Sequence, residues 1–365
     1  MRTCVILVLL AVILILPCNA VDLEEVVESQ KDALELEELE DAAQPYLDGI
    51  TMDDLSLDEG LQAILDSGNA QIKGVFRKAC NSGVLMLSVV LLSGLAESFL
   101  GGTKGKDLPV IPIAASLAVA AIAITDVKAL IGLGEQTVKN MAGFADVLFP
   151  TVTVLMTATG AITGAAVRQM AALAFTDILL NLMKGFLMPA VYAYLAASIA
   201  HSALRNEGLK RLASFLKWAV SWMLAILLIA FVGYLSVSGV IAGHADAATI
   251  KATKFALSST IPVVGGILSD AAETVLAGAG VLKGTVGLYG MLAILGMCIA
   301  PFLQLGVHYL VYKFAATLSS TVADSPVTGL IESLGAAFGL ILGMTGAGAL
   351  GLLVSLISSL SVMNL

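Results

Sequence analysis

The sequence predicts an all-α, polytopic membrane protein, and three observations carry that fold class. Of its 365 residues 58% are hydrophobic and only 13% are charged, with a mean hydropathy of +0.95, whereas ordinary soluble domains are about a quarter charged. Several runs with few or no charges reach about 20 residues, the length a helix needs to cross about 30 Å of hydrocarbon. The chain also opens on a short apolar run, Cys4 to Leu16, behind the single base Arg2. Too little polar surface exists to cover a core in water, so much of the apolar surface faces lipid. The charges are unevenly divided: residues 21–66 hold 16 of the 28 acids against one base, Lys31, and the remainder is weakly basic. That balance presents no basic face to nucleic acid.

The first element is an address. One positive charge, about a dozen apolar residues, Pro17 and the small Ala20 read as a secretory signal peptide over residues 1–20, cleaved after Ala20. An uncleaved anchor is the alternative, and lipid modification of Cys18 is disfavoured by Pro17 before it. In the first two readings the acidic segment that follows, residues 21–72, is extracytoplasmic. Leu34, Leu36 and Leu39 recur among Glu35, Glu37, Glu38 and Glu40 at helical spacing up to a break at Pro45. A second, short helix is expected through Leu57, Leu61, Ile64 and Leu65, with Ser56 and Glu59 at capping-box spacing. The segment is either a solvated tether or a small helical unit that docks on a partner or on the membrane body.

Residues 73–365 form the multi-span membrane domain. Spans are expected at 79–100 and 108–125, joined by a loop carrying Lys104 and Lys106 that the positive-inside bias places in the cytoplasm. Residues 126–146 mix Asp126, Lys128, Glu135, Lys139 and Asp146 with apolar residues and read as an amphipathic outer segment before a third span at 147–167. Residues 169–200 are long for one span and short for two, with Gly185 and Pro189 in the middle. A re-entrant pair of half-helices would keep both Arg168 and the basic stretch Arg205, Lys210, Arg211, Lys217 in the cytoplasm. A clear span follows at 218–241, opened by Trp218 and Trp222 as interfacial anchors. Residues 255–284 are apolar but interrupted by Pro262, Gly265, Gly266, Asp270 and Glu273, the pattern of a broken or re-entrant helix. Spans at 286–312 and 328–357 complete six to eight crossings. Lys139, Pro150 and Pro189 recur as Lys251, Pro262 and Pro301 at one offset of 112, a weak internal repeat of the kind found in transporters or a coincidence of biased composition.

Ionisable groups inside a membrane point to function by default. Asp270 and Glu273, three apart, share a helix face and would bind a proton, a cation or a cationic partner, unless they are hydrated at the outer interface. Asp177 and Lys184, seven apart, are nearly on one face and are expected to form an ion pair within the bundle. Glu97, beside a glycine turn, snorkels. Gly335, Gly339 and Gly343, and likewise Gly160 and Gly164, repeat every four residues, the spacing that lets helices pack closely within a subunit or in a homo-oligomer. Cys80 and Cys298 read as apolar fillers. No cofactor or metal is implied, because His201, His244 and His308 have no ligand spacing. Gly278 to Thr285 fails as a phosphate loop, since Lys283 precedes its glycine instead of following it. No enzymatic constellation is present, so any ATP-driven work falls to another subunit.

The run from Lys251 and Lys254 through Phe255-Ala256, Ile261-Pro262-Val263-Val264-Gly265-Gly266 and Leu268-Ser269-Asp270-Ala271-Ala272-Glu273-Thr274-Val275-Leu276 to Leu282-Lys283 and Val286-Gly287 resembles the signature of the stage III sporulation protein AE family. Phe149-Pro150 followed by Met156-Thr157-Ala158-Thr159-Gly160, Leu187-Met188-Pro189, and Trp222 in a long span are similar as well. The resemblance covers about residues 70–360. The glycine-rich C-terminus departs from it. It implies a multi-pass protein of the mother-cell membrane surrounding the forespore in endospore-forming bacteria. Its partners would be membrane lipid, a cytoplasmic secretion-type ATPase, ring-forming proteins of the intermembrane space and a forespore protein, together a transenvelope channel needed for late forespore development. The family has no assigned catalytic residues, so none are carried over. The alternative is a stand-alone secondary transporter using Asp270, Glu273, Asp177 and Lys184.

Overall fold

A computed structural model describes residues 36–47, 57–100, 110–158, 164–237, 285–322 and 326–363, and every regular element in them is helical. These are α1 (Leu36–Ala43) with a 3-10 turn (Gln44–Tyr46), α2 (Leu57–Leu100), α3 (Val110–Ala158) and α4 (Gly164–Leu182). A π-turn (Met183–Leu187), α5 (Met188–Leu204), α6 (Glu207–Val237), α7 (Thr285–Val322) and α8 (Pro326–Met363) follow. Six helical stretches among the described residues are long and apolar enough to cross a membrane: Gln71–Phe99, Val110–Thr153, Met170–Leu204, Glu207–Phe231, Gly287–Thr321 and Pro326–Ser359. The signal peptide, the 101–107 loop, Gly160 and the whole 238–284 stretch, with Lys251, Pro262, Gly265, Gly266, Asp270 and Glu273, lie outside the described residues.

Two hairpins form the centre. In the first, α2 and α3 run antiparallel. In the second, α7 and α8 do. Glycines set the register between them: a Cβ on Gly60, Gly68 or Gly83 of α2 would meet Leu292, Leu303 or Val311 of α7 at 2.5, 3.1 and 2.9 Å. Rising numbers match rising numbers, so α2 and α7 are parallel. By the same measure Gly134 of α3 meets Ile341 of α8, and Gly348 of α8 meets Met141 of α3. Both pairs are 207 residues apart, so α3 and α8 are parallel and in register.

α8 is the axis. It contacts α2, α3, α4, α5, α6 and α7, and its apolar window is 78% buried, against 22–50% for the other spans. Its one charge is Glu332, and its glycines face different neighbours: Gly335 and Gly339 face Tyr312 and Tyr309 of α7, Gly348 faces α3 and α4, and Gly351 faces Thr176 and Leu179 of α4. Gly343 is buried on the same helix, and Gly164 opens α4. Glycine costs a helix about 1 kcal/mol relative to alanine. Close backbone approach offsets that cost where lipid supplies no hydrophobic drive between helices.

Three sequence expectations change. The helix through Leu57 and Leu65 does not stop but continues without interruption to Leu100. Residues 126–146 do not form an element of their own before a span at 147–167. They lie inside α3, 49 residues or about 73 Å long at about 1.5 Å per residue. Their charges look disruptive in one dimension but are sorted by the helix: Asp126 turns inward, Glu135 pairs with Lys139 at 2.7 Å, and Lys128 and Asp146 point out. Pro150 is carried within the helix.

The third change concerns 169–200, which is not re-entrant. α4 and α5 do not fold back on each other but lie end to end, antiparallel along α8. Thr176 Oγ1 sits 2.7 Å from Ser355 Oγ, the Tyr194 hydroxyl donates to the Ser333 carbonyl at 3.1 Å, and the Ser202 hydroxyl donates to the Pro326 carbonyl at 3.0 Å. Gly185 and Pro189 fall in and just after the π-turn, where the Met188 N–H reaches the Met183 carbonyl five residues back. One wide turn absorbs the proline, whose missing N–H would otherwise break the ladder. Arg168 and Arg205 therefore lie at opposite ends of one helical passage. Arg205 ends α5 in the left-handed region (φ 52°), and Asn206 caps α6 by accepting from the Gly208 N–H at 2.8 Å.

Outside this frame, α1 and its turn dock on the body. Leu39, Ala43 and Leu47, four apart, are fully or almost fully buried, and α1 contacts α3 and α7. The Tyr46 carbonyl sits directly over Gly296 of α7, where any Cβ would collide with it. Cys80 and Cys298 are free thiols. Gly335→Val tests the axis, because Gly335 Cα approaches the α7 backbone so closely that a Cβ would lie 3.2 Å from Tyr312 Cβ and 3.5 Å from the Lys313 nitrogen. The expected outcome is a loss of about 1–3 kcal/mol, read as a lower unfolding temperature in detergent, with Gly329→Val, at a position with open space around it, close to wild type.

Candidate functional site

Where α2, α3, α7 and α8 meet, they enclose a carboxylate. Asp126 of α3 is 2% exposed, and two partners hold it: the Lys78 ammonium of α2 at 3.5 Å and the Tyr312 hydroxyl of α7, which donates at 3.0 Å. Ser82, one helical turn from Lys78, is buried on the same face of α2. Phe338 of α8 closes the site edge-on against the Tyr312 ring, centroids 5.0 Å apart. His308 lies one turn before Tyr312 and is also buried. Its Nδ1–H donates to the Gln304 carbonyl at 2.8 Å, which leaves Nε2 as a buried acceptor with no partner among the described residues.

The two ends of the ion pair differ in kind. Lys78 is 53% exposed along its side chain and can turn to water on its flexible stem. Asp126 cannot. A buried charge that keeps one hydroxyl and one departing cation is held by the bundle rather than by solvent. The chemistry within reach is the acceptance of a cation or proton. Among the described residues no group of three or more His, Cys, Asp or Glu side chains could hold a metal ion.

Of the residues expected from the sequence, Asp270 and Glu273 lie outside the described residues, and Asp177 and Lys184 lie elsewhere. Asp177 accepts from Asn181 Nδ2 at 3.0 Å, four residues on, and borders a shallow surface groove of about 300 Å³ between Pro150 of α3 and Leu173 of α4. Lys184 is exposed on the π-turn, and no ion pair joins it to Asp177 among the described residues. Near the same surface Tyr192 donates to Glu135 at 2.8 Å. Lys313 of α7 pairs with Glu332 of α8 at 2.9 Å on another exposed flank. Glu97 is exposed in the last turn of α2, and Trp218 and Trp222 stand exposed on α6 with ring centroids 6.1 Å apart.

Lys78, Ser82, Asp126, His308 and Tyr312 were not singled out by the sequence. A signal was nevertheless present. The charge-free runs 79–96 and 110–125 end at Lys78 and Asp126, and folding them as one antiparallel hairpin brings the two flanking charges level. The burial asymmetry gives an ordering of variants at about pH 8. Lys78→Met leaves an uncompensated buried carboxylate and is expected to cost about 1–3 kcal/mol. Asp126→Asn leaves a lysine that hydrates and costs less, and the double variant is more stable than Lys78→Met alone. Unfolding temperatures of the three purified proteins in one detergent check this order.

Residues 44–361 match the family described as stage III sporulation protein AE. The stage III sporulation protein AE of Bacillus subtilis (strain 168) is 29% identical over 208 residues, 56% of this chain and 52% of that protein. The chain thus spans about half the length of that relative in the alignment. No solved structure matches the chain. With nearly nine-tenths of its length matched, the chain belongs to the stage III sporulation protein AE family.

Proposed function

We propose that the chain is a non-enzymatic, integral membrane subunit of a sporulation transenvelope channel connecting the mother cell and the forespore. The observation that carries this reading is the family match over 44–361 in a chain with six helices of membrane-crossing length. In it the protein sits in the mother-cell membrane around the forespore. It works with a cytoplasmic ATPase and with ring-forming proteins of the intermembrane space, and late forespore development depends on it.

The placement of charge supports an orientation. The C-terminal ends of α2, α5 and α7 and the starts of α3, α6 and α8 gather at one end of the bundle, and Arg205, Lys210, Arg211 and Lys217 are at or near it. The positive-inside bias makes that end cytoplasmic. The acid-rich α1 docks near Gly296, 26 residues along α7 from its end at Val322, or about 39 Å away. The acidic segment then meets partners from outside. The polar centre includes the Asp126 cluster.

A tagged copy followed through sporulation tests the reading. Expected are appearance after asymmetric division, enrichment at the engulfing membrane, and co-purification with the ATPase and ring proteins in mild detergent. Uniform signal in growing cells with no partners would overturn it and favour the stand-alone transporter, for which alanine at both Asp270 and Glu273 should abolish function.

A further inference from the structure

The Asp126 cluster holds more cation-binding capacity than its ion pair uses. The carboxylate has one charged partner, Lys78, which is half in solvent and at 3.5 Å is not in close contact. One helical turn before Tyr312, the donor to that carboxylate, stands a second group able to become a cation. His308 is 3% exposed, its Nδ1–H is committed to Gln304, and its Nε2 is a buried lone pair with nothing to accept from among the described residues. An unpartnered buried acceptor is rare in native structures and calls for an explanation. Taking up a proton would turn Nε2 into a donor and place a second positive charge near Asp126.

The surroundings limit what else can act on the ring. The charged groups of the cluster, joined to the ring through Tyr312, are Asp126 from α3 and Lys78 from α2. α8 contributes Phe338, edge-on at 6.2 Å between centroids, and α7 contributes Tyr312 at 6.5 Å. Lys78 opposes a charged His308, and Asp126 favours it. While the ammonium is seated, the ring has reason to stay neutral. Once the ammonium swings to water, the carboxylate is left with one hydroxyl, and a proton on His308 restores its counter-charge. The exchange balances: one positive charge leaves the cluster on lysine, and one enters on a proton from solvent.

We propose that Asp126 is a proton-linked site with two interchangeable cationic partners, Lys78 in the arrangement described and protonated His308 when Lys78 is withdrawn. Any movement of α2 against α3 and α7 that draws Lys78 away is therefore coupled to uptake of one proton. The site stands whether or not the channel reading holds.

Lys78→Met creates the withdrawn state permanently. Its unfolding temperature in detergent is compared with wild type at about pH 8 and about pH 5.5, a range that spans ordinary histidine titration. The deficit at the higher pH is expected to shrink by roughly half or more at the lower, because a proton on His308 now pairs with the buried carboxylate. In Lys78→Met with His308→Gln the deficit is expected to persist at both values. An equal deficit at both values in Lys78→Met, or a recovery that survives His308→Gln, overturns the proposal. If Lys78→Met yields too little folded protein, 15N-histidine NMR replaces it, using Lys78→Gln with His201 and His244 changed to Gln. The one remaining ring should pass from the Nδ1–H neutral form to the doubly protonated form at a higher pH than with Lys78 present, and coincident titrations contradict the proposal.

Discussion

Close approach of helix backbones to α8 is the constraint on which the rest of the structure depends. Lipid tails are as apolar as leucine side chains, so helices in a membrane gain little by hiding leucine from lipid and must gain by fit. α8 supplies fit on several sides at once. Its glycines put Tyr309 and Tyr312 against one face, Met141 and Leu180 against another, and Thr176 and Leu179 against a third. The small hydroxyls Ser355 and Ser359 lie along the same helix, with Ser355 meeting Thr176. The glycine-rich C-terminal region, which departs from the family pattern as read from sequence, is thus the part around which six other helices are arranged.

That arrangement explains how a charge-poor chain can carry buried charge. Since Tyr312 backs onto Gly335 and its ring onto Phe338, its hydroxyl is fixed in position to donate to Asp126. The same packing that excludes solvent from the carboxylate also aims its partner. The serine and threonine hydroxyls elsewhere follow a milder rule, donating back to a carbonyl three or four residues earlier or across to a neighbouring helix, so that few polar groups within the described bundle are left alone.

Much of this was legible in the sequence and some was not, for physical reasons. Apolar length announces helices of membrane-crossing size, and the stretches ending near Leu100, beginning near Val110, opening at Thr285 and opening at Pro326 fall close to where hydropathy puts them. The continuity of α3 was hidden because Asp126, Lys128, Glu135, Lys139 and Asp146 look like an interruption until the helix sorts them by face. Gly185 and Pro189 misled for the opposite reason: both are breakers in isolation, and whether they break a helix depends on whether a π-turn can absorb them against a neighbour such as α8. The Asp126 cluster needed four helices in register, and no spacing within one segment encodes that. Only the charges flanking the runs 79–96 and 110–125 hinted at it.

The central claim is that α4, the π-turn and α5 form one passage along α8. Single cysteines at Arg168 and Asn206, in a chain with Cys4, Cys18, Cys80 and Cys298 replaced by serine, test it most directly through labelling by a membrane-impermeant maleimide added to sealed vesicles of known orientation. A single passage requires the two sites to label from opposite sides of the membrane. Labelling of both from the same side would contradict it and restore the re-entrant pair.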